Sequence, residues 1–313
     1  CSPSAWQGGS RRRWKSASLT VFSGRMQPVF FFFIPMFFAQ LRQIFSQALP
    51  MLVAQVSSMG MMIIDTILLG HYSTEDLAAV AIGSGIYIAV LFALVGVVQA
   101  VAPVVAHYKG AAREAEIGEA LSQSFWLAAG LAVPCVWMIA HPQAFFALTT
   151  MSPAVEAKVL AYLGVLAWGV PAALFYRAIY AFCSALGEPR VLMRIALAGT
   201  VLHGLLAWLL VGGRAGLPAL GGVGCALSNA VVNWFVLACG LAYLRLSPKF
   251  SGYRLLRAWT LPRLAVQREL LRLGIPMGMS YFVEVSSFTL IALLAAELGT
   301  VAVSGHRIVA NLA

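Results

Sequence analysis

Charged residues are scarce in this sequence. Asp, Glu, Lys and Arg make up only 10% of its 313 residues, against roughly 25% in a typical soluble domain. Hydrophobic residues make up 61%. A chain with so little charge cannot face water over most of its length, so a soluble globular fold is excluded. The composition predicts an integral membrane protein.

Motifs of enzymes and of metal sites are also missing. The five cysteines are scattered, without a C-x-x-C pair or a Cys/His spacing that suits zinc. The sequence contains no H-E-x-x-H, G-x-S-x-G or G-x-G-x-x-G motif and no Walker-type phosphate loop. We therefore expect no enzyme and no cofactor. Any active transport then has to draw on an ion gradient.

The sequence does contain a series of long apolar segments. Each has room for the about 20 helical residues that cross a bilayer. The predicted spans are residues 46–70, 77–107, 121–141, 155–186, 191–212, 220–245 and 270–297, with an eighth that begins near 299. The predicted fold class is all-α: a polytopic helical bundle in the membrane.

Basic residues outnumber acidic ones, and the formal net charge is +10. The bases lie in short stretches between the spans rather than in one patch, which argues against a nucleic-acid partner. The connection between spans six and seven is the richest, with Arg245, Lys249, Arg254, Arg257, Arg263, Arg268 and Arg272. By the positive-inside rule, this connection and the N-terminus are predicted to be cytoplasmic.

We predict four segments along the chain. Residues 1–43 form an atypical basic and aromatic extension, residues 44–245 a six-helix lobe, residues 246–268 a basic linker, and residues 269–313 the start of a second lobe. Spans one and seven open similarly, with Leu49-Pro50-Met51 and Ile275-Pro276-Met277, which indicates two six-helix repeats. The second repeat is then cut short, as in a C-terminally truncated fragment.

Two acidic residues lie inside predicted spans, Asp65 in span one and Glu284 in span seven. A charged side chain at the centre of a bilayer costs about 3 kcal/mol or more, so such residues are functional candidates by default. A carboxyl group in a low-dielectric cavity can take up and release a proton near neutral pH. The alternative is that each carboxyl only hydrogen-bonds a neighbouring helix.

Other side chains predict a path for an organic cation. Small, thioether, hydroxyl and aromatic groups share helix faces with the two acids, and soft side chains and rings suit greasy cations. The candidates are Ser58, Met61, Met62, Tyr281, Ser287, Phe288, His203, Asn229 and Asn233. Ordinary packing between helices is an equal or better explanation for single members of this group.

Several stretches together resemble the MATE (multidrug and toxic compound extrusion) family. They cover roughly residues 44–313. The stretches are Leu49-Pro50-Met51 with Asp65-Thr66-Ile67, Leu77-Ala78-Ala79-Val80-Ala81, Pro103-Val104-Val105-Ala106, Leu186-Gly187-Glu188-Pro189, Leu220-Gly221-Gly222-Val223-Gly224, Gly274-Ile275-Pro276 and Phe282-Val283-Glu284. No single stretch is decisive, but their order and spacing together are fairly specific.

The resemblance implies a twelve-helix exporter with two six-helix lobes around a central cavity. It also implies alternating access and antiport of H⁺ or Na⁺ against drug-like cations. Asp65 matches the first-helix aspartate of the family, and Glu284 matches the seventh-helix glutamate of its bacterial drug-exporting branch, where Glu284 is also the candidate Na⁺ ligand. His203 lies where this branch often has asparagines, so we expect less polar surroundings for Asp65.

The hypothesis from the sequence is therefore a secondary active antiporter that exports cationic amphiphilic compounds. We expect it to be a monomer in the bacterial inner membrane, with small organic cations and the lipid bilayer as its partners. One alternative keeps the fold and moves lipid-linked precursors or polysaccharide. That alternative favours a basic cavity for phosphate, whereas the buried charges here are mainly acidic. A membrane scaffold is a third reading, which the two intramembrane acids argue against.

Overall fold

The structure is a computed structural model that describes residues 29–146, 152–253 and 260–297. Every regular element in these ranges is helical. The α-helices are α1 (Val29–Tyr72), α2 (Thr74–Val98), α3 (Val101–Gly110), α4 (Glu114–Ala140), α5 (Gln143–Phe146), α6 (Pro153–Leu186), α7 (Pro189–Val211), α8 (Gly222–Leu246) and α9 (Leu264–Glu297), and a short 3₁₀ helix covers Pro248–Tyr253. The prediction of an all-α protein is confirmed.

Six helical segments among the described residues are long and apolar enough to cross a membrane. They are Ile44–Tyr72, Thr74–Gly110, Glu114–Ala140, Pro153–Leu186, Pro189–Val211 and Gly222–Leu246. They match the first six predicted spans in order, with the largest shift at the start of α4. The predicted seventh span falls on α9, and the predicted eighth lies outside the described residues.

The chain divides into two units, Cys1–Ser46 and Gln47–Ala313. In the first unit the described residues, 29–46, are helical and form the start of α1. The second unit contains the rest of α1 and helices α2 to α9. The four segments that we predicted along the chain stay a prediction.

Short connections set the helix ends. Ser73 caps α2, since its hydroxyl accepts a hydrogen bond from the Asp76 amide at 3.3 Å. Ser152 caps α6 in the same way, and Pro153 follows at the first helical position. Gly187 ends α6 in the left-handed conformation, with φ of 86°. Its lack of a side chain permits the tight turn into α7, which starts at Pro189.

Helix α6 lies at the centre of the second unit. It packs against α2, α3, α4, α7 and α8. Its largest fully buried side chains are Leu163, Leu166, Leu174, Ile179 and Phe182. By contrast, most apolar side chains of α1 beyond Gln47 are exposed, including Val56, Met62 and Ile67. Helix α1 therefore packs on one narrow face and leaves the rest to lipid or to a cavity.

Helices α2 and α9 cross at glycines. A Cβ atom added at Gly96 would lie 2.6 Å from the Cα atom of Gly278, and one added at Gly278 would lie 2.5 Å from the Ala93 carbonyl oxygen. A Cβ at Gly274 would lie 2.5 Å from the Val97 carbonyl oxygen. The two backbones therefore touch directly, as small residues allow in membrane helices.

The chain that leads into α9 is held by a buried glutamine of α4. Gln123 is fully buried. Its amide group donates to the Thr260 hydroxyl at 3.0 Å and to the Leu261 carbonyl oxygen at 2.9 Å. Its side-chain oxygen accepts from the Arg263 amide at 2.9 Å and from the Gln267 side chain at 3.0 Å. This network fixes where α9 begins relative to α4.

Candidate functional site

Asp65 lies on α1, two turns before the helix ends at Tyr72. Its side chain is 14% exposed. Met61, one turn earlier, is half-buried, whereas Met62 and Ser58 are exposed. The Ser58 hydroxyl donates to the Ala54 carbonyl oxygen of its own helix at 3.2 Å. The carboxyl group is thus the one strongly polar function in a largely apolar stretch of α1.

His203 on α7 is the partner of Asp65. The His203 Nε2 atom lies 2.9 Å from the Asp65 Oδ1 atom. The imidazole is completely buried, with 0% of its side chain exposed. While Asp65 is ionised its carboxylate can only accept, so Nε2 then carries the hydrogen. The contact is a charge-assisted hydrogen bond, and it is a full ion pair when the imidazole is protonated.

This pair corrects one expectation from the sequence. We expected the histidine at 203 to make the surroundings of Asp65 less polar. The structure instead places its imidazole directly on the carboxyl group. The sequence offered only a weak indication: a polar residue inside an apolar span that usually needs a hydrogen-bond partner.

Two further buried groups surround the pair. Tyr162 of α6 is 6% exposed and Cys225 of α8 is 1% exposed. Both lie close enough to Asp65 to interact with it electrostatically. The cysteine therefore also lines the polar site. Side chains from α1, α6, α7 and α8 meet here.

Helix α7 meets α1 along a polar seam that includes the pair. The Ser57 and Thr200 hydroxyl oxygens lie 2.7 Å apart, and the Thr200 hydroxyl also donates to the Ser57 carbonyl oxygen at 3.0 Å. Small residues allow the approach, since Gly60 faces Thr200 and Gly204 faces Ile64. The seam positions His203 opposite Asp65.

Asn229 and Asn233 of α8 bond to each other. The Asn233 Nδ2 atom donates to the Asn229 Oδ1 atom at 2.9 Å. The Asn233 amide also packs where α6 passes closely at Gly169. The structure thus gives both residues a packing role and shows no hydrogen bond between them and Asp65 among the described residues.

Glu284 lies in very different surroundings. Its side chain is exposed, as are Phe282 and Val283 beside it. Among the described residues, no hydrogen bond or ion pair joins its carboxyl group. The Tyr281 hydroxyl donates to Gln99 of the α2–α3 junction at 3.4 Å, and the Ser287 hydroxyl donates to the Val283 carbonyl oxygen. The side chain of Phe288 lies outside the described residues.

A cavity of about 290 Å³ lies between α2, α6 and the start of α8. It is lined by Asp76, Ala79, Val80, Ala157, Lys158, Ala161, Tyr162, Leu220, Gly222 and Val223. The Lys158 Nζ atom bridges the Glu75 Oε2 atom at 3.0 Å and the Asp76 Oδ1 atom at 3.1 Å. Sequence reasoning did not connect these two acids to their shared lysine, which lies 83 residues after Glu75.

The described residues offer no dedicated metal site. Within the described ranges, no group of three or more His, Cys, Asp or Glu side chains comes together to hold a metal ion. The assignment of Na⁺ to Glu284 stays a prediction from the sequence.

These features define a class: a multi-pass helical membrane protein with an ionisable carboxylate–imidazole pair inside a span. The MatE family model matches residues 50–209 of this chain. The chain is 53% identical, over 271 residues, to a probable multidrug resistance protein NorM of Aromatoleum aromaticum. It is 34% identical, over 278 residues, to the multidrug resistance protein MdtK of Pectobacterium atrosepticum. The chain belongs to the MATE family.

The alignments cover 87% and 88% of this chain, but only 58% and 60% of those two relatives. The chain thus spans about three fifths of their length. Among solved structures, the eukaryotic MATE transporter AtDTX14 has a TM-score of 0.73 at 18% identity, covering 83% of this chain and 57% of its own. A multidrug resistance MATE family transporter in an outward-facing conformation has a TM-score of 0.69 at 21% identity, covering 86% of this chain and 58% of its own. At these identities the structures support the fold alone.

Proposed function

We propose that the full protein is a secondary active antiporter that exports cationic amphiphilic compounds in exchange for H⁺ or Na⁺ by alternating access. The carrying observation is the partly buried Asp65 carboxyl group, held by His203 inside a membrane span. The relatives named as multidrug resistance proteins support the same activity and do not favour a lipid-precursor flippase.

Charge competition supplies the coupling. An ionised Asp65 or Glu284 attracts an organic cation in a low-dielectric cavity. When the same acid takes up H⁺ or Na⁺ from the other side, its charge is neutralised and the cation is released. Because each ligand favours one conformation, the two fluxes are linked without covalent chemistry. No further cofactor is required.

The proposed setting is the bacterial inner membrane, with the N-terminus and the basic linker on the cytoplasmic side. The protein acts as a monomer on small organic cations. The exposed apolar surface of α1 supports direct contact with lipid or with a greasy substrate. Ser58, Met61, Met62, Tyr281, Ser287 and Phe288 are the side chains assigned to the substrate path.

The test is efflux of a fluorescent organic cation from cells that lack their own exporters and express the full-length gene. We expect export by the wild type under a proton or a sodium gradient. We expect loss of most of it in Asp65→Asn and in Glu284→Gln, because neither variant can exchange charge. The control is Ser84→Ala on α2, whose hydroxyl bonds only its own helix. A wild type that moves no cationic dye under either gradient would overturn the proposal.

A further inference from the structure

The two ring nitrogens of His203 differ in their hydrogen bonding. Its Nε2 atom bonds to Asp65, whereas its Nδ1 atom is buried and has no hydrogen-bond partner among the described residues. Buried polar atoms are usually satisfied, so an unpaired nitrogen beside an intramembrane acid requires an explanation. Packing alone does not explain it, because an apolar residue of similar size avoids the cost of burying that atom.

The Asp65–His203 pair has few possible protonation states. With Asp65 ionised and His203 neutral, Nε2 carries the hydrogen and Nδ1 holds a bare lone pair, and the pair has a charge of −1. One added proton binds that lone pair and forms an N–H bond, and no other bond breaks. Nε2–H still donates to Asp65, and the pair is then a neutral imidazolium–carboxylate ion pair. One proton therefore switches the charge of the site between −1 and zero.

We propose that Asp65 and His203 together form a one-proton site, with the exchangeable proton on His203 Nδ1, and that this site binds H⁺ and not Na⁺. The inference deepens the proposed function by naming the coupling ion of this lobe. The site itself does not depend on that function. The charge of a lone carboxylate can be neutralised by a proton or by a metal ion. In the pair, the Nδ1 atom of the imidazole is a specific binding position for a proton.

The chemistry of the neighbours disfavours Na⁺. Hard cations prefer several oxygen ligands. Here one carboxylate oxygen is occupied by an N–H donor, and the adjoining titratable groups are Tyr162 of α6 and Cys225 of α8. Asp76 of α2 interacts electrostatically with Cys225. A thiol and an imidazole are poor partners for Na⁺, but an imidazole is a good base near neutral pH.

The direct test is NMR of the full-length gene product, purified in detergent with ¹⁵N-labelled histidine. His203→Asn identifies the two ring signals of His203 by their loss from the spectrum. We expect a bare Nδ1 and a protonated Nε2 at high pH. As the pH falls, Nδ1 gains a proton while Nε2 keeps its own. Replacing choline chloride by sodium chloride leaves this transition unchanged.

Two variants test the pairing. Asp65→Asn removes the carboxylate that accepts from Nε2–H, so Nε2 loses its charge-assisted hydrogen bond and its ¹⁵N signal should shift. Glu284→Gln serves as the matched control and leaves the transition in place. His141→Asn, at an exposed histidine that ends α4, removes a different signal and leaves those of His203 unchanged.

Three results would overturn the proposal. They are an Nδ1-protonated neutral tautomer, an Nδ1 that stays bare throughout the pH range in which the protein is folded, and a transition that Na⁺ moves to lower pH. Failure of the proposed function is a separate outcome. If the full protein exports no cation but His203 titrates as described, the one-proton site stands and the antiporter does not.

Discussion

Asp65 and Glu284 are both acids inside predicted spans, but their surroundings in the structure differ. Asp65 is paired with a buried imidazole, and Ser57 and Thr200 add a polar seam along its helix. Glu284 is exposed, on a helix that meets its neighbour through bare glycine backbone. Within the described residues, one of the two acids thus has a side-chain partner and the other has none.

The difference has an energetic meaning. Removing one member of a buried charged pair leaves the other unsatisfied, which costs more than the pair itself contributes. Glu284 has no such partner among the described residues, so its replacement leaves no partner unsatisfied within them. The same type of substitution should therefore affect stability near Asp65 and not near Glu284, whereas both should affect transport. Backbone contact at the glycines should be the most sensitive feature of all.

The largest expected effect is at the crossing of α2 and α9. Gly96→Ala places a Cβ atom 2.6 Å from the Gly278 Cα atom, so the backbones have to separate. We expect a loss of about 3 kcal/mol of stability, measured by unfolding the full-length protein in detergent. Gly85→Ala on the same helix is the matched control, because a Cβ there meets nothing within 4 Å. Equal stability of the two variants would contradict the close crossing.

A double-mutant cycle sharpens the comparison of the two acids. Asp65→Asn and His203→Leu should show a coupling of about 2 kcal/mol in unfolding, because a hydrogen bond to a charged group is lost in each single variant. Glu284→Gln combined with His203→Leu should be additive within about 0.5 kcal/mol. Equal coupling in the two cycles would mean that the Asp65–His203 contact contributes nothing specific.

The hydroxyl seam should have a smaller effect. Ser57→Ala removes the 2.7 Å contact with Thr200, and hydrogen bonds between membrane helices contribute about 0.6 kcal/mol on average. Ser58→Ala is a control one residue away, since that exposed hydroxyl bonds only to Ala54 of its own helix. We expect a small fall in unfolding free energy for Ser57→Ala and no measurable fall for Ser58→Ala. A larger fall in unfolding free energy for Ser58→Ala than for Ser57→Ala would contradict the contact between Ser57 and Thr200.

The smallest effect is expected outside the spans. The hydrogen bond to Glu188 raises the pKa of Lys249, which lies on the 3₁₀ helix after α8. A raised folded-state pKa stabilises the fold below the ordinary lysine value, and the contribution is lost as the pH rises through the folded-state pKa. Because Lys249 is well exposed, Lys249→Met should change the melting temperature only slightly at pH 7. The difference from wild type should vanish in strongly alkaline buffer, and a difference that grows there would refute the pairing.

Much of the fold could be predicted from local sequence. Hydropathy located the six spans found among the described residues, because crossing a bilayer needs a continuous apolar stretch whatever the rest of the chain does. Turn residues also indicated where helices end and begin, as Gly187 and Pro189 do between α6 and α7. The ends of α4 were less well placed, since its first turns carry Glu114 and Glu116 and lie outside the apolar stretch.

The candidate site was predictable only in part. Asp65 could be chosen from sequence because an acid in an apolar span is costly wherever its partners lie. His203 could not be assigned to it, because a neutral histidine in a span has no comparable cost and many potential partners. The bridging role of Lys158 and the anchoring role of Gln123 were missed for a similar reason: each depends on residues that are distant in the chain.

By itself, the sequence determined that this chain is a multi-pass helical membrane protein with an acid inside its first span and another on the helix predicted as its seventh. Those properties belong to single residues and continuous segments, and hydration energy alone decides them. Only the tertiary structure decided that Asp65 is paired with His203, 138 residues later, and that Glu284 has no such partner among the described residues. Pairing depends on which helix faces meet and on distances of a few tenths of an ångström, and packing of the whole bundle sets both.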